Sequence, residues 1–573
     1  MLEGGFRIMR NRFRTTVVVM AACVLALGVL SGCAPAKTTT TPGTGAAGTP
    51  KSGGTMSFYI GEPAYIDPYN AQESEGTEVE QSLFDSLTRV DPLDPTKLVP
   101  AAADSWTANA DATVFTFKLN KNGKFADGTP VTAKDFVYAW TRIVDQTTAN
   151  TLTKKADPSI ISYHLAFVKG YDDLFAGKTK VLTGVKAVDD YTFEVTLSKA
   201  FADFPIVCAH PALAPVPQAL VEGGVDFNGT KVAFGDMPVG NGPFMMAEPW
   251  SHNQYIKVKA NSNYYGTKPY LAGIDFKIYK DTEAAYTDFV AGNLDFSPIG
   301  AGQIKAAQAK YGTSDNGYTV NPGKQVVLGA ENATYYLIFN MTDPTFKNPA
   351  IRKAVSLGIN RQAICDVVFE GTRDPADNII PPGIAGYEKG AWADAKYDLA
   401  GAQKVLTDAG FPGGKGIPAI KLSFNSGAGH EKIMELVQSD LAKLGIKATF
   451  DSAEFPVYLK QLDAGKFQIG RLGWIADYPI ADNFLFPLFQ SKAGDNKSKY
   501  VNPAVDKALE DARKIVDTAA RITAYQAIDK TIQADNPVAP MMFYKHTRVG
   551  SKRLHDFTWD SQGLGDFATV WVD

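Results

Sequence analysis

Hydrophobic and polar positions follow several different rhythms along this chain, and each rhythm predicts an element. From Val17 to Leu30 every position is apolar or glycine, a run shorter than a bilayer-spanning helix needs. From Ala34 to Gly54 no large apolar side chain appears, which predicts a disordered tether. Thr55-Met56-Ser57-Phe58-Tyr59-Ile60 reads as a strand, and Asp67-Pro68-Tyr69 as a turn. The polar stretch Gln72–Thr77 then leads into a helix around Val79–Leu87; it reads either as a plain loop or as an edge segment able to pair with an extended chain. Thr113–Leu119 alternates as a strand, Asp127-Gly128 marks a turn, and Thr132 with Asp135 forms a capping-box variant that opens a helix through Trp140. Further on, Asn348 and Pro349 start a helix with Ile351, Ala354 and Val355 on its apolar face, and a second helix from Arg361 to Phe369 is closed by Gly371. Between Ile420 and Phe450 the period switches from 2 to 3.6 and back. Ile420, Leu422 and Phe424 form a strand, Ile433, Leu436, Val437, Leu441 and Leu444 stripe a helix ended by Gly445, and Ile446–Phe450 is the next strand of a βαβ unit.

Charge and cysteine usage change the picture at the N-terminus. Arg7, Arg10, Arg12 and Arg14 precede the apolar run, so residues 1–32 read as an export signal rather than a spanning helix. The run ends in Leu30-Ser31-Gly32-Cys33, which resembles the lipobox of bacterial lipoproteins, and this implies lipidation of Cys33. Removing residues 1–32 takes away four Arg and one Glu, shifting the formal charge from -4 to -7 and giving no basic patch for nucleic acid. Cys208 and Cys365 remain, far apart, and read as two buried thiols rather than a disulfide framework. About 520 residues follow the tether, enough for two or three lobes with ordinary cores.

Candidate chemistry concentrates in Arg471-Leu472-Gly473-Trp474-Ile475-Ala476-Asp477-Tyr478-Pro479. A fixed cation, a glycine that lets another backbone approach, an indole and a carboxylate within seven residues suit a zwitterion. On these residues alone the plainer reading wins: Trp474 a core aromatic, Asp477 a turn cap and Arg471 a solvated surface charge. Strict alternation would put Arg471 and Trp474 on opposite faces, so the strand is expected to bend or end at Gly473. His430 is expected just ahead of the 430s helix, where free N–H groups favour an anion. Catalytic motifs are incomplete. His430-Glu431-Lys432-Ile433-Met434 has Met where the second zinc histidine must stand, Gly413-Gly414-Lys415 lacks the rest of a phosphate loop, and no G-x-S-x-G elbow occurs.

The blocks Ser105-Trp106, Lys124-Phe125-Ala126-Asp127-Gly128-Thr129-Pro130-Val131-Thr132-Ala133-Lys134-Asp135-Phe136-Val137, Val239-Gly240-Asn241-Gly242-Pro243-Phe244, Asn263-Tyr264-Tyr265, Phe289–Asp295 and Asn348–Ala354 occur in that order. Together they resemble the extracellular solute-binding family 5, the oligopeptide-binding lipoproteins of peptide ABC importers. The resemblance implies a two-lobed α/β fold of the periplasmic-binding-protein type (class II), with an extra subdomain in lobe I and a ligand cleft between the lobes. It places lobe I in residues 55–84, 214–330 and 545–573, the subdomain in 85–213 and lobe II in 331–544, after the signal at 1–32 and the tether at 33–54. Asp477 then matches the aspartate for a peptide's α-amino group, Gly473, Trp474 and Ile475 a stretch that pairs with peptide backbone, and Arg471 and His430 a carboxylate grip. Ser74 to Gly76 would line the other edge of the ligand, with Tyr544 near the site. Two departures, Leu462 and Leu152, fall where relatives often carry a basic residue and a tyrosine. The implied protein is an extracytoplasmic, lipid-anchored monomer without cofactor, metal or catalytic residue. Its partners are short peptides with free termini, ABC permease subunits and, through Cys33, the membrane. Other family cargoes (an oligosaccharide, a nickel chelate or haem), a lipoprotein peptidase and a signalling lipoprotein are the alternatives.

Overall fold

Two large sheets and one small one position everything else. A computed structural model describes residues 49–573 apart from 72–73, 149–158, 160, 301, 427–428 and 454; the expectations for the export signal, Cys33, most of the tether and Leu152 lie outside the described residues. The first sheet has seven strands in the order Phe244–Met246, Tyr255–Ala260, Gly273–Ile278, Thr55–Ile60, Phe296–Pro298, Arg548–Gly550, Val326–Val327. Alternation along Thr55–Ile60 does the sorting. Met56, Phe58 and Ile60 enter one core, where Phe58 meets the rings of Phe276, Phe296, Phe557, Trp559 and Phe567, while Tyr59 packs on the opposite face beside Phe289 and Val549.

A four-stranded antiparallel sheet, Ala103–Ala108, Val114–Leu119, Thr192–Thr196 and Val185–Asp189, belongs to the same continuous core. The helix Ala133–Val144 covers it, with the Trp140 ring edge-on to Phe193 at 5.1 Å. The capping box is present: the carboxylate of Asp135 accepts from the Thr132 backbone N–H (2.7 Å) and hydroxyl (2.9 Å).

The second large sheet runs Asp374–Pro375, Val538–Lys545, Ala330–Phe339, Ile469–Ile475, Ile420–Asn425, Ala448–Ala453. It is sandwiched between two helix layers. Pro349–Gly358, Arg361–Val368, Leu399–Asp408 and His430–Lys443 cover the face that carries Tyr335, Leu337 and Ile469. Asp482–Phe489, Pro503–Ala512 and Thr518–Asp535 cover the face of Tyr336, Ile338 and Trp474. The expected βαβ unit is here, its two strands parallel and in register from Ile420↔Ala448 to Asn425↔Ala453. The chain leaves the seven-stranded sheet after Val327, enters the six-stranded one at Ala330, and comes back between Lys545 and Arg548. These two crossings are adjacent, with His546 N–H donating to Gly329 O at 2.9 Å. The result is a two-lobed α/β molecule.

Three expectations need correction. The tether was expected to run to Gly54, but its last residues are tied to the body. Lys51 pairs with Asp573 at 2.5 Å, Gly53 N–H donates to Tyr270 O at 2.7 Å, and Ala272 N–H donates to Gly54 O at 2.8 Å, which continues the edge of the first strand. The stretch read as a loop or an edge segment is helical from Ser74, because the helix Ser74–Leu83 starts earlier than its apolar stripe. Ser74 and Gly76 therefore have no extended backbone to offer. The strand carrying Arg471 neither bends nor ends at Gly473: it pairs with Ala330–Phe339 without a register shift from Ile469↔Phe339 to Ile475↔Ala333. Cys208 and Cys365 are both free and buried.

Candidate functional site

Strict alternation along Ile469–Ile475 divides the candidate residues between two faces. Arg471 shares the face of Ile469 and lies under the helix begun by His430, while Trp474 points to the other helix layer. Gly473 sits opposite Tyr335, and a methyl group there would meet the Tyr544 hydroxyl at 2.4 Å. That close approach is the reason for a glycine at this position.

Arg471 is 7% exposed, and its guanidinium stands over the Tyr335 ring at 4.9 Å. Its Nη2 donates to Nε2 of His430 at 2.5 Å, so the imidazole acts as an acceptor and is neutral. Burial, and then the charge of Arg471, hold the His430 pKa down to about 4. His430 is the first helical residue, after Gly429 as N-cap, rather than the residue ahead of the helix. Nε of Arg471 and the Tyr335 hydroxyl are buried without a hydrogen-bond partner among the described residues. Tyr544 completes the group, its ring 6.4 Å from that of Tyr335 and under the Arg373 guanidinium at 4.4 Å.

Asp477 lies just beyond the strand and is held by a side chain that no motif suggested. Asn483 donates from Nδ2 to Asp477 Oδ2 (3.0 Å), while its Oδ1 accepts from the Asp477 backbone N–H (3.0 Å) and from Trp474 Nε1 (3.2 Å). Trp474 thus acts by fixing Asn483, which fixes Asp477. Tyr163, from the small-sheet region, donates to the other carboxylate oxygen at 3.4 Å. Burial raises the Asp477 pKa, with Asn483 opposing the rise.

Asp477 and Ile475 line a cavity of about 480 Å³ together with Ser74, Glu75, His164 and His210. Gly76 is buried in its helix and does not line it. The candidates thus form two ends. Asp477, Ile475 and Ser74 meet at an anionic end, and Arg471, His430 and Tyr544 meet at a cationic one, with Gly473 between.

Between the ends lies an unpaired strand edge. Ile420–Asn425 pairs with this strand only at Leu422↔Ile469 and Ser423↔Gly470. Past Gly470 the two strands part, and the Tyr458 hydroxyl fills the fork, accepting from Arg471 N–H (2.7 Å) and lying 2.7 Å from Arg471 O and 3.1 Å from Ser423 O. From Leu472 to Ile475 the second edge has no strand partner among the described residues, and Ile475 is 61% exposed. A carboxylate, an unpaired backbone edge and a buried guanidinium in line can hold an extended zwitterion. Sequence reasoning missed Tyr335, Arg373, Asn483 and Tyr163, since each is an ordinary residue of its own element and only tertiary packing brings it here.

The model for bacterial extracellular solute-binding proteins, family 5 Middle, matches residues 97–496. This chain belongs to family 5. Like other family 5 members it is a binding protein of the extracellular side, not an enzyme. It is 30% identical over 502 residues to the oligopeptide-binding protein OppA of Bacillus subtilis (strain 168), covering 86% of this chain and 88% of that one. It is also 30% identical over 495 residues to periplasmic OppA of Escherichia coli (strain K12), covering 84% and 86%. Among solved structures, the unliganded open form of the periplasmic murein tripeptide binding protein MppA superposes with TM-score 0.78 at 27% identity, over 92% of this chain and 98% of that one. Haemophilus influenzae OppA in complex with RPPGFSPFR gives 0.65 at 26% identity, over 90% and 99%. The resemblance expected from the sequence blocks, and the two-lobed fold it implied, both hold. Among the described residues no helix is long and apolar enough to cross a membrane.

Proposed function

We propose that this family 5 protein captures short peptides with free termini between its lobes and delivers them to an ABC importer, held outside the cell by a lipid on Cys33. The observation that carries the peptide assignment is the unpaired edge from Leu472 to Ile475, with Asp477 beyond one end and Arg471 at the other. Backbone hydrogen bonds along such an edge hold a main chain whatever its side chains are. Asp477 takes the α-ammonium, Arg471 with neutral His430 takes the terminal carboxylate, and Tyr544 and Gly473 shape the floor between them. Ser74 contributes from the facing helix, with its side chain rather than its backbone. The lobes follow the two large sheets, lobe I as residues 55–84, 214–330 and 545–573 with its subdomain at 85–213, and lobe II as 331–544. Relatives named for oligopeptides support the same cargo class. Closure is a population shift toward the state in which a ligand touches both lobes.

The test is native mass spectrometry of residues 49–573, released from cells without refolding. A spread of co-purified masses that fragment as short peptides is the expected outcome. A single non-peptide mass, or sugar fragments, would overturn the peptide assignment and the roles of both ends.

A further inference from the structure

The cationic end holds more positive charge than one carboxylate neutralises. Arg373 and Arg471 converge on the Tyr335–Tyr544 pair, Arg471 over the first ring and Arg373 over the second. Among the described residues neither guanidinium has a carboxylate within salt-bridge distance, and four acids of the neighbourhood have other partners or face solvent. Glu331 faces His546 Nδ1 at 3.0 Å and acts on Arg373 only from beyond salt-bridge distance, Asp374 pairs with Lys545 at 2.6 Å, Asp366 accepts from Gln362 at 2.9 Å, and Glu431 is exposed. Among the described residues Arg373 lies against the rings of Phe369 and Tyr544 and donates to the Met542 sulfur at 3.9 Å, none of which carries charge. Since His430 accepts from Arg471, it leaves that positive charge intact. A buried guanidinium and a half-buried one on the same patch repel each other and favour further counter-charge.

Resting on the peptide reading, we infer that Arg373 is a specificity residue that receives a second acidic group beside the terminal carboxylate, so that peptides ending in Asp or Glu are preferred. Arg471 with His430 holds the α-carboxylate, and Arg373, approaching over Tyr544 from the Asp374–Pro375 side, meets the side-chain carboxylate. A guanidinium is suited to this because its planar donors stack on the ring and still grip a carboxylate edge.

The experiment is titration calorimetry on the full-length protein, stripped of endogenous ligand, with alanine peptides of three to five residues ending in Glu or in the neutral isostere Gln. For the wild type, Glu-ended peptides are expected to bind about tenfold tighter than Gln-ended ones. In Arg373→Gln that ratio should fall to about one, while Arg373→Lys should keep part of it, separating charge from packing. Equal wild-type affinities for the two peptides, or a ratio unmoved in Arg373→Gln, would overturn the inference and leave the peptide reading standing. If no peptide of either kind binds, the peptide reading itself fails, and this inference with it. The wild-type ratio decides the matter even where a variant does not fold.

Discussion

Asp477 pays a desolvation cost that a ligand cation offsets. Burial raises its pKa in the ligand-free protein, against hydrogen bonds to its carboxylate from Asn483 and Tyr163. An arriving ammonium favours the ionised form and brings the pKa down, so binding releases a proton wherever Asp477 was protonated. Affinity for free-amine peptides should therefore climb as pH rises through the raised pKa and level off above it, while N-acetylated peptides show a flatter profile. Calorimetry across pH 4–8 checks the sign, and a flat profile for both would remove the amine role. Asp477→Ala should cost free-amine peptides about 1.5–3 kcal/mol, the range for hydrogen bonds to charged groups, and acetylated ones clearly less. Gly473→Ala tests the floor of the site, since its Cβ must displace the Tyr544 hydroxyl from 2.4 Å. Peptide affinity should drop while the melting temperature of the ligand-free protein moves little; unchanged affinity would mean that Tyr544 swings aside at no cost. At this scale Asp477, Arg471 and His430 were legible because each matches a motif position. Arg373 was not, because nothing in Gly371-Thr372-Arg373-Asp374 distinguishes it from a surface charge until Tyr544 is seen beneath it.

The strand Ile469–Ile475 shows where reasoning by element succeeds and where it fails. Alternation correctly separated Arg471 from Trp474, and the error was to infer from this that the strand bends or ends at Gly473. The structure keeps the strand straight and lets Trp474 work from behind through Asn483. The helix at Ser74 was misread for a related reason, because its first turn is polar and therefore lacked the apolar period that marks a helix. The βαβ unit and the helices at Pro349 and Arg361 were legible since caps and period agreed. What no local pattern could reveal is the fork at Gly470, which depends on Tyr458 arriving from another helix. Tyr458→Phe would leave Arg471 N–H and two carbonyls short of a partner in a buried place, at a cost of about 1–3 kcal/mol. Denaturant midpoints should show that loss, and peptide affinity should fall with it as Arg471 loses its anchor; a change below about 0.5 kcal/mol would mean that water takes over the fork.

The small-sheet region and the helix layer over the six-stranded sheet meet through charges that are nearly dry. Asp203, from the region of the small sheet, receives Arg521 of the helix Thr518–Asp535 in a bidentate pair at 2.5 and 2.9 Å, with both side chains 6% exposed. Next to it Arg513 grips Asp482 at 2.6 and 2.8 Å, lies against Phe167, Phe201 and Phe486, and accepts at its carbonyl from Ala202 N–H. This contact resists separation because opening it exposes Asp203 and Arg521 singly, so on the proposed closure it would hold the two parts together. Arg521→Met removes one partner and leaves Asp203 buried alone, which should cost about 3–5 kcal/mol at neutral pH. The pH dependence has a definite sign. Burial already raises the Asp203 pKa, and without Arg521 the rise is larger, so the protonated form is the one the folded variant favours. The stability deficit should be full above that folded pKa and shrink as pH falls through it toward the unfolded carboxyl range. Without ligand, the variant should also scatter X-rays with a larger radius of gyration than wild type, and saturating peptide should bring the two together. If the radii agree without ligand, the Asp203–Arg521 pair contributes to stability without biasing the lobes, and the hinge segments alone set the opening.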